Sequence, residues 1–158
     1  MFRYCTLPVL PVLLVGVVVA NVVVSVVLHQ RRADDERARA RATRVAAQLA
    51  DPAGTTPLAD AECGAAPRLV RCLRAGGEPG RVAAHYRAEL SARAGHPATV
   101  RCESPSGTQG APRSPIRGCR VVLDEGHGHG VLVTVDTDVR VVDGRRRPEG
   151  SRVTVLAS

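Results

Sequence analysis

The chain has 158 residues and a formal net charge of +7, its 22 basic residues all arginine against 15 acidic ones. With one long apolar run set aside, the remainder holds a single domain of roughly 100 residues, and a second core is excluded. Lys is absent while Asn, Ile, Phe and Met occur once each, so A/T-rich codons are scarce as a group; the arginine excess reads as the bias of a GC-rich bacterial genome, and it weakens any argument from charge to a polyanionic partner.

Residues 1–6 form a short N-terminal tail. From Leu7 to Leu28 there are 22 residues without a charge, about 33 Å as an α-helix, which matches the hydrocarbon thickness of a bilayer. Pro8 and Pro11 fall in its first turns, where a missing N–H is tolerated. A cleaved secretory signal has a shorter apolar region, about 7 to 15 residues, ending in a small-x-small site. Val18-Val19-Ala20 matches that site poorly, so residues 7–28 read as a retained single-pass signal-anchor in contact with membrane lipid. Asn21 and Ser25 share a face beside Gly16 and Ala20, a pattern of helix–helix contact in lipid, which makes a homodimer through this helix and the stalk after it a candidate partnership.

Residues 29–50 are rich in Ala and Arg, with Asp35 and Arg39 spaced for an i, i+4 pair, and read as a juxtamembrane helical stalk. Ala38, Ala42, Val45 and Leu49 follow the spacing of a coiled-coil seam, but the stripe is short and its side chains small, so a solvated stalk is expected. Orientation signals conflict. Arg31, Arg32, Arg37, Arg39, Arg41 and Arg44 follow the apolar run and only Arg3 precedes it, which by the positive-inside rule puts the C-terminal part in the cytoplasm. In that case the Arg-rich stalk would lie on anionic lipid.

The cysteines argue the other way. Cys5 sits at the membrane edge; Cys63, Cys72, Cys102 and Cys119 form an even set in a small domain poor in aromatics, the signature of two disulfides in an oxidising compartment. Local pairing, Cys63 with Cys72 and Cys102 with Cys119, is favoured because each pair brackets a Gly/Pro-bearing excursion. Spacings of nine and seventeen residues lack the tight knuckles of a structural zinc site. Since large C-terminal domains translocate despite flanking charge, the domain is expected outside the cytoplasm, at the cell membrane of a bacterial envelope.

Residues 51–62, with Pro, Gly and Thr and no period, read as a linker. The domain is expected over 63–158. Pro67 can open a short helix, PRLVRCLRA, closed by Gly76-Gly77. A second helix starts at Pro79, aligns Val82, Ala83, Tyr86 and Leu90 on one apolar stripe, and stops at Gly95. Tyr86 is the only aromatic beyond the membrane run, so base-stacking platforms are lacking and no nucleic acid is expected as a partner. The period then switches to two, through Ala98, Val100 and Cys102; Cys119, Val121 and Leu123; Val131, Val133, Val135, Val139 and Val141; and Val153 with Val155. These four strands predict an antiparallel meander with one face covered by the Tyr86 helix and a polar open face. The fold class is therefore α+β: an N-terminal transmembrane helix and stalk, then one or two helices packed on a four-stranded antiparallel sheet. Residues 103–118 read as a long Pro/Gly-rich excursion, and 143–150 as a hairpin tip.

Chemical signals are few. In DEGHGHG, residues 124–130, imidazole and carboxylate alternate with glycine, so Asp124, Glu125, His127 and His129 are the candidate metal ligands. An ordinary solvated hairpin turn is the stronger reading, because metal sites draw ligands from several elements. Arg145, Arg146 and Arg147 are candidate anion contacts or simply an exposed turn. His85 and His96 have no acid or nucleophile at fixed spacing, and Ser104, Ser106 and Ser114 lack a nucleophile elbow. No phosphate loop, dinucleotide fingerprint or H-E-x-x-H occurs, so neither a catalytic residue nor a cofactor is expected. The expected role is a membrane-tethered, non-enzymatic interaction or structural module engaging an envelope component, and the alternative is metal dependence at His127 and His129.

Overall fold

A computed structural model describes residues 9–63, 68–103 and 117–158, and excludes the side chains of 9–14, 60–61, 140–142 and 146–148. The chain divides into two units, Met1–Arg37 and Ala38–Ser158.

In the first unit the described residues belong to the start of α1 (Val9–Gln48). From Val15 through Leu28 its valines and leucine are between 41% and 63% exposed among the described residues. This helix is long and apolar enough to cross a membrane. Asn21 turns its amide back onto the Val17 carbonyl at 2.8 Å, which satisfies one of its donors within the helix.

The second unit begins inside the same helix. Ala38, Ala42, Ala46 and Leu49 are at most 4% exposed, and the last three join the hydrophobic core of the domain. The solvated stalk expected over residues 29–50 is corrected here from Ala38 onward. Small side chains, which made the stripe look too weak for a coiled coil, let the helix approach its own domain closely. Val45, expected in that stripe, is only partly buried at the core's edge.

The sheet is antiparallel throughout and has six strands among the described residues, in the order β1-β2-β6-β5-β4-β3. β3 (Thr99–Glu103), β4 (Gly118–Gly126), β5 (His129–Val142) and β6 (Arg145–Ala157) form the expected meander. The other two come from segments read otherwise. β1 (Thr56–Pro57) lies in the expected linker, as does the start of the one-turn α2 (Asp60–Cys63). β2 (Leu69–Ala75) occupies most of the expected PRLVRCLRA helix and pairs with β6. A bulge between Leu69 and Arg71 breaks its alternation and leaves apolar residues at helix-like spacing, although pairing decides the conformation.

α3 (Pro79–Ala94) forms as expected, with Pro in its first turn and Gly95 as a left-handed cap at φ 74° whose N–H reaches the Ser91 carbonyl at 3.1 Å. It carries the chain across the sheet from β2 to the opposite edge. Val82, Ala83, Tyr86 and Leu90 bury its stripe against Val121, Leu123, Val131, Val133, Val135, Val153 and Val155. Fully burying each Val or Leu contributes about 1.5–3 kcal/mol, so an almost aromatic-free core still has substantial drive.

Two details of the meander differ from expectation. Val139 is 46% exposed although it keeps the β5 phase of Val131, Val133 and Val135; the register shift opposite Asp138 and Val139 comes from an extra residue, Glu149, in β6. The tip at 143–150 is only the turn Asp143-Gly144, both residues at positive φ, as a two-residue hairpin of right-handed twist requires. Arg145, Arg146 and Arg147 are strand residues facing Val142, Val141 and Arg140 in the ladder.

Cys102 and Cys119 face each other in the β3–β4 ladder and lie at disulfide distance. Cys63 pairs with Cys72, which brings α2 onto the sheet face away from α3. Both pairs are the local ones expected. Elsewhere that face is mixed, with Arg120, Thr134 and Thr154 in one row and Val122, Leu132 and Leu156 in the next.

Candidate functional site

The end of α1 is tied down by polar side chains. Arg71 donates to the carbonyls of Ala46 at 2.6 Å and Ala47 at 3.2 Å, and pairs with Asp51 at 2.9 Å. A guanidinium here satisfies two of the orphan carbonyls at a helix C-terminus and complements its negative end. The His85 Nε2–H donates to the Ala50 carbonyl at 2.9 Å, and the Tyr86 hydroxyl donates to Asp51 at 2.9 Å. Burial first, and then the Asp51 carboxylate, push the Tyr86 phenol well above its ordinary pKa. This cluster is structural: it orders the segment between α1 and β1.

Next to it the same helix opens a cavity of about 430 Å³. Arg41, Arg44, Val45 and Gln48, at i, i+3, i+4 and i+7, form a stripe beside the buried alanines and line one wall. Arg93 and Ala94 from the last turn of α3, with His96 just past its cap, form another. Asp124 and Glu125, at the end of β4, close the third side.

A bulge places the carboxylates. Cys119, Val121 and Leu123 point into the core, and Glu125 is the extra residue between Asp124 and Gly126, with its side chain 5% exposed. Asp124 is exposed and accepts the Gly126 N–H at 2.8 Å, which shapes the turn. Gly130 faces Asp124 across the ladder, and any side chain there would run into the Leu123 carbonyl. The hairpin thus has to carry glycine where it passes the site.

Three guanidinia and an imidazole share the cavity with two carboxylates. Arg93 is held by Glu89 at 3.3 Å, and His96 lies 3.7 Å from Glu125. Burying a carboxylate is costly without partners, and these cations lower the cost. Chemically the cavity offers both signs of charge within the volume range of small-ligand sites.

The candidate metal ligands are not gathered among the described residues. His127 is exposed at φ 55° in the hairpin turn, whereas His129 is buried in the first position of β5. Among the described residues no three His, Cys, Asp or Glu side chains group as a metal site. Asp124 and Glu125 instead line a cavity with Arg41, Arg44 and Arg93, of which the sequence pointed to Arg41 and Arg44 only as flanking charge. Their signal was the i, i+3 placement of Arg41 and Arg44, hidden among 22 arginines. Arg145 is exposed; the side chains of Arg146 and Arg147, and Ser104, Ser106 and Ser114, lie outside the described residues.

No protein-family model matches the chain, and neither a curated protein nor a solved structure shows detectable similarity to it.

Proposed function

We propose that the chain is a single-pass, membrane-anchored, non-enzymatic interaction module whose folded unit stands outside the cytoplasm and engages a component of the bacterial envelope. One observation carries this reading: all four cysteines of the folded unit lie in two pairs at disulfide distance, next in sequence to a helix able to span a bilayer. Disulfides persist where glutathione and thioredoxin do not reduce them, and a small domain with few large core side chains gains from them. The ligand-sized cavity and the mixed open face of the sheet supply the surfaces for engagement.

Alkylating free thiols in intact cells, before and after reduction, tests the compartment. Cys63, Cys72, Cys102 and Cys119 should take up label only after reduction, and a reporter fused after Ser158 that works only outside the cytoplasm should be active. Labelling of all four without reduction would sink this reading in favour of a cytoplasm-facing module with its Arg-rich segment on anionic lipid.

A further inference from the structure

The charges around the cavity define a ligand, and that inference goes beyond the compartment reading because it holds or fails in purified protein. Arg41 and Arg44 are exposed and make no ion pair or hydrogen bond among the described residues. Three positions apart on one helical face, they repel each other, and an anion held between them would relieve that repulsion. Across the cavity the Glu125 side chain is 5% exposed, yet its ion-pair partner His96 is 3.7 Å away, longer than a hydrogen bond. Genome-wide arginine bias explains how many arginines the chain has. It does not explain two unpaired ones at a cavity that also holds a buried carboxylate.

We propose that this cavity binds a small zwitterion of the amino-acid class, an amino acid or dipeptide, with its carboxylate on Arg41 and Arg44 and its ammonium on Glu125. Guanidinium forks match a carboxylate in bidentate geometry, and an ammonium supplies the donors that Glu125 lacks. A plain anion such as phosphate satisfies the arginines but meets the Glu125 and Asp124 carboxylates. A plain cation meets the reverse conflict, so a ligand of one sign is disfavoured from one wall or the other. The cavity, about 430 Å³, has room for such a molecule with its side chain.

The test is calorimetric titration of the purified full chain in dodecyl maltoside micelles. The probes are the common L-amino acids, D-alanine and diglycine, with acetate, methylamine and inorganic phosphate as single-charge controls. At least one zwitterion should bind about tenfold or more tightly than every control, and Arg41→Ala/Arg44→Ala should weaken it by about tenfold or more, the scale of one lost charge-assisted hydrogen bond. Both arginines are solvent-exposed, so this variant should melt like the parent. Glu125→Gln, nearly isosteric, should lose the zwitterion while binding acetate at least as well as the parent. If Glu125→Gln does not fold, the probe panel and the arginine variant decide. Absence of binding by every zwitterion, phosphate or acetate binding as tightly, or an affinity unchanged in the arginine variant would each overturn the proposal.

Discussion

Two stretches of α1 treat hydrophobicity in opposite ways. Between Val15 and Leu28 the helix shows large β-branched side chains to its surroundings, Val15 at 63% and Val27 at 41% exposure. From Ala38 to Leu49 it buries mostly alanine, with Ala42 and Ala46 at 0%. In water the bulkier set would be the one to bury, since each exposed valine forgoes about 1.5–3 kcal/mol. The inversion makes sense if the first stretch has lipid as its solvent, whereas the second needs only a thin edge that fits against a sheet. On that reading one continuous helix meets two environments, and side-chain size tells which stretch belongs to which.

Substitutions that exchange those rules should separate the stretches. Val18→Arg with Val22→Arg has the largest expected effect: two arginines near the centre of a span add about 5–7 kcal/mol to insertion, and the chain should leave carbonate-washed membranes. Next, Arg71→Ala removes the cap on the α1 end and the cation beside Asp51. Unfolding should become easier by about 1.5–3 kcal/mol in denaturant titration, with membrane retention unchanged. Ala42→Leu overfills the contact with the core and should cost about 1–3 kcal/mol, while Ala20→Leu in the apolar stretch should leave retention intact. A neutral result for Ala42→Leu would dissolve the distinction drawn here.

The smallest expected effect concerns Tyr86. Its hydroxyl bonds Asp51, so Tyr86→Phe should cost about 1 kcal/mol near neutral pH. Because the folded-state pKa of Tyr86 is raised, the neutral phenol stabilises the fold fully below about pH 10, and that contribution falls as pH climbs through the alkaline range above it. Thermal melts from pH 9 upward should therefore drop less steeply for Tyr86→Phe than for the parent.

Much of this architecture was legible in the residues. The uncharged run, the Pro79-to-Gly95 helix and the alternation of Cys119, Val121 and Leu123 each combine a clear period with end signals, and each formed where expected. β2 was misread because Pro67 and Gly76-Gly77 imitate helix punctuation, and its partner β6 lies far along the chain. Val139 illustrates a second limit, since it keeps the alternation of β5 and is nevertheless 46% exposed, which the pattern alone does not reveal. The cavity was least legible: Arg41, Arg93 and Glu125 come from two helices and a strand, and only packing brings them together. Asp124 and Glu125 stood out beside neighbouring histidines, whereas the packing sets them at a cavity lined also by arginines and by His96.

The alanine edge of α1 also fixes where the molecule can be cut. A soluble fragment designed from Cys63 would leave out Ala42, Ala46 and Leu49, and would expose the valines and leucines they cover. Recombinant versions trimmed to Cys63 should therefore clump, while those starting at or before Ala38 keep their own lid and stay dispersed. Preparative chemistry on this protein has to inherit part of α1.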